Sequence, residues 1–311
     1  MDMERNVDTT NTDPYITRLA DEERFAKRMD PVLWSEWGEG APISREAAES
    51  FDKNGYFVLR DAFSPAEVKA LMGASAALRG DDRPQSEDVV TEPDSDEVRT
   101  IFRLDEHSEV FRRLAEDSRL AGIAEFLLGD GVYAHQSRLN YKPGFTGKEF
   151  YWHSDFETWH AEDGMPRMRA VSASLLLTDN DALNGPLMLM PGSQRTYVAC
   201  RGETPENNYR SSLKKQVVGT PSNEALTRLA ETHGIDAATG PAGTVIFFDC
   251  NTMHGSNGNI TPFPRSNAFF VFNAVSNALQ APFAAKSSRP PHLANRKDAP
   301  QAIRPKTGSL A

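Results

Sequence analysis

The stretch FYWHSDFETWHAEDG, residues 150–164, places histidines, carboxylates and tryptophans close together among short predicted strands. From Gly131 onward, short apolar segments are separated by turns rich in Gly, Pro and Asn. Many short strands broken by turn signals are typical of a sandwich or barrel, and they do not alternate with helices as in a doubly wound sheet. We therefore predict a mainly β fold. It would be a jelly roll, a cupin-like double-stranded β-helix, with flanking α-helices that are mostly N-terminal.

The same patterns predict the individual elements. The predicted strands lie at 56–60, 131–142, 149–155, 169–178, 186–190, 194–199, 243–249 and 267–275. The predicted helices lie at 16–29 (on the surface), 108–116, 118–128 and 222–234. A further helix begins after Ser64, which can cap it, because Pro65 suits a first turn and Glu67 completes a capping box. It should run to about Leu78, and the acidic, turn-rich residues 80–97 predict a loop.

One catalytic domain is predicted, at residues 16–290. Residues 1–15 are polar and predict a flexible N-terminus. The chain from about Ser287 is rich in Pro, Lys and Arg, and residues 291–311 predict a polar C-terminal tail.

Composition limits the classes of partner. The chain has 311 residues, of which 39% are hydrophobic and 25% charged, with a formal net charge of -10. Nucleic acid and anionic membranes are disfavoured as partners, because phosphate binding needs a concentrated basic surface. There is no apolar run of the ~20 residues needed to cross a bilayer, and no signal peptide is visible. Two cysteines, Cys200 and Cys250, are too few for a disulfide framework, so we expect a cytoplasmic protein.

His153 and Asp155 suggest a metal site. They are two residues apart, so on a strand both side chains would face the same way. An imidazole beside a carboxylate makes two thirds of the 2-His-1-carboxylate site of non-haem Fe(II) oxygenases. His254, which follows an apolar strand and precedes a Gly/Asn turn, is the best candidate for the second histidine. Zinc is possible with the same ligands, although structural zinc sites usually use cysteine.

Other interpretations of this stretch remain open at this point. Glu157 has the same strand parity as Asp155 and is a rival carboxylate ligand. His160 has the opposite parity to His153 if the strand continues, which disfavours it as a ligand. A Ser-His-Asp hydrolase triad within 153–155 is a poor alternative, because adjacent residues face opposite sides and no Gly-x-Ser-x-Gly elbow is present.

Two further features favour a site that binds a small anion. Arg265 opens the strand SNAFFVFNAV, where its guanidinium could clamp a carboxylate beside the metal, or could merely lie at a strand end. The segment GVYAHQSRLNYKPG, residues 131–144, carries polar side chains on one strand parity: Gln136, Arg138, Asn140 and Lys142. Such a face either lines a wet pocket or faces solvent.

With His153, Asp155, His254 and Arg265 in this order, the chain resembles the Fe(II)- and 2-oxoglutarate-dependent dioxygenases of the phytanoyl-CoA hydroxylase-like superfamily. The segment FDKNGYFVLRDAFSPAEVKAL, residues 51–71, is similar to the N-terminal part of that superfamily. More narrowly, FYWHSDFETWHAEDGMP resembles the signature of the ectoine hydroxylase family. The resemblance covers roughly residues 20–290.

This resemblance implies the cofactors and the role of each site residue. His153, Asp155 and His254 would be the catalytic metal ligands for Fe(II), with 2-oxoglutarate and O2 as cosubstrates. The residues implied for 2-oxoglutarate are Asn140, Lys142, Ser256, Arg265 and, less directly, Phe102. Those implied for ectoine are Gln136, Thr158, Trp159, and Phe270 or Phe272. The products would be 5-hydroxyectoine, a compatible solute, with succinate and CO2. The family also suggests a homodimer.

Two alternatives to this function stay open from the sequence. The chain could hydroxylate another small amino-acid-like substrate, such as proline. It could also be a binding module that keeps the jelly-roll fold without its chemistry, although such a module has no need for open metal coordination positions.

Overall fold

Two antiparallel sheets form the jelly roll in the computed structural model, which describes residues 13–18, 22–93, 95–213, 216–296 and 299–311. The strands are β1 (Arg24–Lys27), β2 (Tyr56–Leu59), β3 (Val89–Thr91), β4 (Val98–Phe102), β5 (Val132–Lys142), β6 (Phe150–His153), β7 (Ala170–Leu176), β8 (Leu187–Leu189), β9 (Thr196–Ala199), β10 (Asp236–Ala238), β11 (Val245–Asp249), β12 (His254–Ser256) and β13 (Arg265–Ala274). The large sheet has the order β2-β11-β7-β13-β5-β4-β3, and the smaller sheet has the order β10-β8-β12-β6. The predicted mainly β jelly roll is confirmed.

Helices pack mostly on the outside of the large sheet and come mainly from the N-terminal half. They are α1 (Arg45–Asn54), α2 (Pro65–Arg79), α3 (Leu104–His107), α4 (Glu109–Ala115), α5 (Ile123–Leu128), α6 (Asp155–Thr158), α7 (Tyr209–Ser212) and α8 (Asn223–His233). The predicted capping box of α2 is present, because the Ser64 side chain accepts from the backbone N–H of Glu67 while the Glu67 carboxylate accepts from that of Ser64. No helix among the described residues is long and apolar enough to cross a membrane.

Strand β13 is the central strand of the large sheet, and its side chains alternate between the two faces of that sheet. It pairs with β5 on one side and with β7 on the other, and all ten of its residues are buried. Phe270 and Phe272 point into the main core beneath the helices. Phe269 points the other way and packs with residues of the smaller sheet such as Leu187 and Leu189. Because successive side chains of a strand alternate, the parity of β13 decides which residues can reach the space between the sheets.

Several predicted elements are wrong. The predicted helix at 16–29 is wrong for its described part, since Arg24–Lys27 is strand β1, paired with β9; the hydrogen bonds of this partner strand outweigh the local helical pattern. Helix α1 was not predicted, and the predicted loop at 80–97 contains β3. The predicted strand at 149–155 stops at His153, because α6 begins two residues later.

The chain ends are more ordered than their composition suggests. The predicted flexible segment 1–15 lies mostly outside the described residues, but Tyr15 is 1% exposed and donates a hydrogen bond to Asp30. The C-terminal segment is not simply a polar tail, since Leu293 and Leu310 are buried. Leu310 packs with the main core, a contact that composition alone does not reveal.

Phe270 offers a test of the strand parity. Replacing it by Ala should lower the free energy of unfolding by about 3–5 kcal/mol, since a fully buried aromatic ring leaves a cavity. The control Met72→Ala, at a side chain that is 44% exposed, should change it by about 0.5 kcal/mol or less. Urea denaturation followed by circular dichroism measures both. Equal, small effects would contradict the placement of Phe270 in the main core.

Candidate active site

His153, Asp155 and His254 meet between the two sheets. His153 ends β6, His254 begins β12, and the two residues are direct partners in the antiparallel ladder. Nε2 of His153 lies 3.6 Å from Oδ1 of Asp155, and Nε2 of His254 lies 3.8 Å from Oδ2 of the same carboxylate. One potential ligand atom from each residue lies within 4.8 Å of the others. The cluster predicted from the sequence is therefore assembled in the fold.

Asp155 reaches the cluster by a different route from the one predicted. It is the first residue of α6 and not a continuation of β6. The turn is fixed because the backbone N–H of Phe156 donates to the carbonyl of Cys250 at 2.8 Å, just after β11. Strand parity therefore places His153 only, and a helix start places the carboxylate.

Both imidazoles are held in the tautomer that a metal requires. Nδ1 of His153 lies 2.7 Å from the carbonyl oxygen of Tyr151, and Nδ1 of His254 lies 2.9 Å from that of Thr252. A carbonyl oxygen can only accept, so each Nδ1 carries the proton and each Nε2 presents its lone pair. Metal-binding histidines are usually oriented in this way by their second nitrogen.

The protonation states also suit a metal. Burial raises the pKa of Asp155, but the neighbouring imidazole of His254, together with His153 and the charge of Arg138, outweighs it and holds this pKa below its ordinary value. Burial, assisted by the charge of His153, lowers the pKa of His254 to about 4. At neutral pH the carboxylate is thus ionised and His254 is neutral, as metal coordination requires. Two imidazoles and one carboxylate suit Fe(II), with several coordination positions left open.

A cavity extends from this cluster between the sheets, and its walls come from six parts of the chain. The lining residues include Thr100 and Phe102 of β4; Gln136, Arg138 and Asn140 of β5; Thr158, Trp159 and Glu162 after β6; Ser256, Arg265 and Phe269 of β12 and β13; Leu213, Gln216 and Val218 of a covering loop; and Arg289 of the C-terminal segment. The predicted polar face of β5 therefore lines a pocket and does not face solvent.

Most predicted contacts line this cavity, and three do not. Phe102, Gln136, Asn140, Thr158, Trp159, Ser256 and Arg265 all do. The assignment of Phe270 or Phe272 to the pocket is wrong, because both point into the main core. Phe269 takes their place. Phe269 is four residues after Arg265 on the same strand, so both side chains face the same side. Because Arg265 was already assigned to the pocket, the sequence could have predicted Phe269.

Lys142 is buried behind the cavity wall. Its Nζ donates to the carbonyls of Lys148 and Asn257, at 2.7 and 2.5 Å. Burial, together with the charge of Arg265, lowers its pKa to about 6, so the amine is mostly neutral at pH 7. The prediction that Lys142 contacts the cosubstrate is not met in this structure, because the two carbonyls hold the amine away from the cavity.

Arg265 is a buried cation with spare hydrogen-bonding capacity. It is 2% exposed and donates from Nη1 to the carbonyl of Gly185. Among the described residues, no acceptor contacts its Nε. Burial, with the charge of Arg99, lowers its pKa to about 9, which still leaves the guanidinium charged at pH 7. A buried guanidinium with an unpartnered N–H fits an incoming carboxylate.

Glu157 and His160 serve as structural supports. The Glu157 carboxylate accepts from Nε and Nη2 of Arg18, at 2.9 and 2.7 Å. Gly219, with a φ of +76°, passes so close to this ion pair that a Cβ there would lie 2.3 Å from it. The His160 ring stacks on Phe283, with ring centroids 4.1 Å apart. Among the described residues, neither belongs to the group that could hold a metal.

Three charged residues of the cavity carried no assigned role from the sequence. Arg138 was noted only as part of the polar face of β5. Glu162 lies within the opening stretch, residues 150–164. Arg289 gave no signal, because it comes from beyond the last strand, where it forms a two-point ion pair with Asp163 at 2.8 and 2.5 Å.

Comparison with known proteins identifies the family. The family model "Phytanoyl-CoA dioxygenase (PhyH)" matches residues 51–267. The chain belongs to the phytanoyl-CoA dioxygenase family. The ectoine dioxygenase of Sphingopyxis alaskensis is 58% identical over 299 residues, which cover 96% of this chain and 97% of that relative. The ectoine dioxygenase of Halomonas elongata is 50% identical, covering 94% and 89% of the two chains. The resemblance to the ectoine hydroxylase family is thus confirmed.

Solved structures agree with this assignment. The crystal structure of EctD from S. alaskensis with 2-oxoglutarate and 5-hydroxyectoine superposes with a TM-score of 0.89 at 53% identity, covering 96% of this chain and 100% of that one. A form of the same protein with bound Fe has a TM-score of 0.87.

The metal cluster can be tested by binding alone. His254→Ala or Asp155→Asn should reduce Fe(II) affinity by at least about tenfold, because each removes one of three ligands. Anaerobic titration with Fe(II), or with Co(II) as a spectroscopic probe, measures the affinity. His233→Ala, at the end of α8 and outside the cluster, is the matched control. Undiminished binding by both cluster variants would contradict the site.

Proposed function

We propose that this protein is an Fe(II)- and 2-oxoglutarate-dependent dioxygenase that hydroxylates ectoine to 5-hydroxyectoine, releasing succinate and CO2. One observation carries the proposal. Two Nε2 atoms with free lone pairs and an ionised carboxylate face the same cavity as Arg265, a buried cation with an unpartnered N–H. The named relatives, ectoine dioxygenases at up to 58% identity over nearly the whole chain, support the choice of substrate.

When bound, the iron and 2-oxoglutarate supply the oxidising chemistry that converts a C–H bond of the substrate into C–OH. The protein's own contribution is to hold both groups, orient the substrate carbon and exclude water. Arg265 would bind the distal carboxylate of 2-oxoglutarate. Ser256, on the strand of His254, lines the same cavity and can add a hydroxyl donor.

Asn140 is pre-oriented to donate. Oγ1 of Thr100 donates to Oδ1 of Asn140 at 3.1 Å, which fixes the amide and leaves its N–H2 group free for an acceptor in the cavity. We assign this group to the 2-oxoglutarate end of the cavity, because Asn140 lies two residues before Lys142, the partner of Arg265 in the β5–β13 ladder.

Gln136 acts on the substrate through Arg138. Its Nε2 donates to the carbonyl of Leu293 at 2.7 Å, and its Oε1 accepts from Arg138. Both ends of the amide are therefore engaged within the protein. Arg138 lies over the ring of Phe269, 5.0 Å from the centroid, and lines the cavity. We assign the carboxylate of ectoine to Arg138, with Gln136 holding the guanidinium in place.

Covering segments would exclude water from this cavity. The loop with Leu213, Gln216 and Val218 closes one side, and Nε2 of Gln216 donates to Oγ1 of Thr158 at 3.2 Å. A closed cavity strengthens every charge interaction inside it and limits side reactions.

We also propose that the protein acts in the cytoplasm as a homodimer, in keeping with the resemblance to its family. Sedimentation equilibrium of the purified protein should give twice the mass of one chain. A monomer at micromolar concentration would contradict the dimer without affecting the catalytic proposal.

A substrate panel tests the activity. Incubation with Fe(II), 2-oxoglutarate and O2 should release succinate in proportion to ectoine, and mass spectrometry and NMR should identify 5-hydroxyectoine. Proline and related cyclic amino acids serve as matched alternatives. Coupled turnover with proline but not with ectoine would place the protein among other hydroxylases of its family. Absence of turnover with all substrates, despite bound iron, would contradict the enzymatic proposal.

The Arg265 assignment makes a separate prediction. Arg265→Ala should raise the KM for 2-oxoglutarate by about 10- to 100-fold, because a charge-assisted hydrogen bond is lost. The KM for ectoine should change much less. Steady-state assays with each substrate varied in turn measure both constants. Arg265→Lys keeps the charge but not the two-point geometry, so its KM for 2-oxoglutarate should lie between those of the wild type and Arg265→Ala. An unchanged KM for 2-oxoglutarate in Arg265→Ala would remove Arg265 from this role.

A further inference from the structure

Glu162 is a buried carboxylate that faces the cavity and keeps one oxygen free. It lines the cavity and is 3% exposed. Oε1 accepts from Nη1 of Arg18 at 2.7 Å and from Nδ2 of Asn208 at 2.8 Å. Within the described part of the chain, no donor hydrogen-bonds to Oε2. A buried carboxylate oxygen normally has a partner, so Oε2 is free to accept from a molecule in the cavity.

The charges behind Glu162 do not cancel. Arg18 bridges Glu157 and Glu162, so these three residues, here called the acidic trio, carry one positive and two negative charges. Glu157 is fully engaged, because it accepts from Nε and Nη2 of Arg18 and from Oγ1 of Thr17, the latter at 2.8 Å. It does not line the cavity. The unbalanced negative charge therefore faces the cavity through Glu162.

Among the described residues, the arginines that line the cavity form no ion pair with Glu162. Arg289 forms a two-point ion pair with Asp163, and Glu162 acts on it only as a weaker charge without a hydrogen bond. Burying an unpaired charge is costly, so the acidic trio is balanced best by a cation that enters the cavity.

Trp159 completes the surroundings for such a cation. It lies three residues before Glu162 on the same π-helical turn, Trp159–Asp163, and both side chains line the cavity. Edge-on packing against His135, with ring centroids 5.3 Å apart, fixes the indole. An aromatic face beside a carboxylate is a favourable environment for a delocalised cation.

We propose that Glu162 and Trp159 form a cation subsite that selects the cyclic amidinium of the substrate, opposite the carboxylate that we assign to Arg138. This inference rests on the proposed function and adds Glu162 as the residue that recognises the positive charge of the ring. Arg18 lies outside the segment matched by the family model, residues 51–267. The acidic trio is therefore built partly by a segment beyond that common region.

Neutralising Glu162 without changing its shape tests the subsite. Glu162→Gln keeps an oxygen that can accept from Arg18 but removes the unbalanced charge. The probes are ectoine and 6-oxopiperidine-2-carboxylate, a six-membered lactam with the carboxylate but no cationic ring, tested as an alternative ligand by competition. The preference of the wild-type protein for ectoine over the lactam should fall by at least about tenfold in Glu162→Gln, because a charge-assisted hydrogen bond is lost. The KM for 2-oxoglutarate should be unchanged.

Two further variants separate charge recognition from folding. Glu162→Asp retains the charge and should retain most of the preference for the cationic ring, even if its KM rises. Glu203→Gln, the same change at an exposed carboxylate, should behave as wild type. Thermal melting of each variant monitors the fold. A general loss of stability would lower activity with ectoine but would not selectively alter the ratio between the two ligands.

The outcomes for the two proposals are distinct. Wild-type turnover of ectoine with an unchanged ligand preference in Glu162→Gln would overturn this inference alone. If Glu162→Gln does not fold, loss of the preference for ectoine in Glu162→Asp would overturn it, and retention would support it. Absence of ectoine turnover in the wild-type protein would instead contradict the proposed function.

Discussion

The pairing of His153 with His254 across β6 and β12 is the constraint on which the site depends. Antiparallel partners face the same side of their sheet, so one backbone register delivers both imidazoles together. The carbonyls of Tyr151 and Thr252 then fix both tautomers. The ladder does not position the third ligand. The Asp155 carboxylate is placed instead by the start of α6. A shift of either strand by one residue would turn one imidazole away from the cavity.

Buried charge is the second organising feature. The signature contains more acidic residues than a metal site needs, and the structure gives most of them arginine partners. Arg18 forms ion pairs with Glu157 and Glu162, and Arg289 forms one with Asp163. These arginines come from opposite ends of the chain and meet on the short helical stretch that also carries Trp159. The substrate wall is therefore stabilised by segments that lie far outside the signature.

Stability and selectivity are linked through this arrangement. A buried ion pair contributes little net stability, because desolvation offsets most of its Coulomb energy. Its value lies in geometry: the acidic trio supports the wall that carries Trp159 and leaves one oxygen of Glu162 without a hydrogen-bond donor among the described residues. The same network packs against Gly219 of the covering loop, so the loop and the substrate wall share one support.

The sequence by itself determined the class of fold, most strand positions, the capping box of α2 and the three metal-binding residues, because these follow from local periodicity and from the chemistry of side-chain types. Parity also placed the polar face of β5, and it would have favoured Phe269 over Phe270 had it been counted from Arg265. Tertiary structure alone decided the rest. Strand β1, the packed C-terminal segment, the retreat of Lys142 and the partners of Glu162 depend on contacts between residues remote in sequence. The physical reason is that burial and pairing of charge are properties of the assembled core, and no local pattern encodes them.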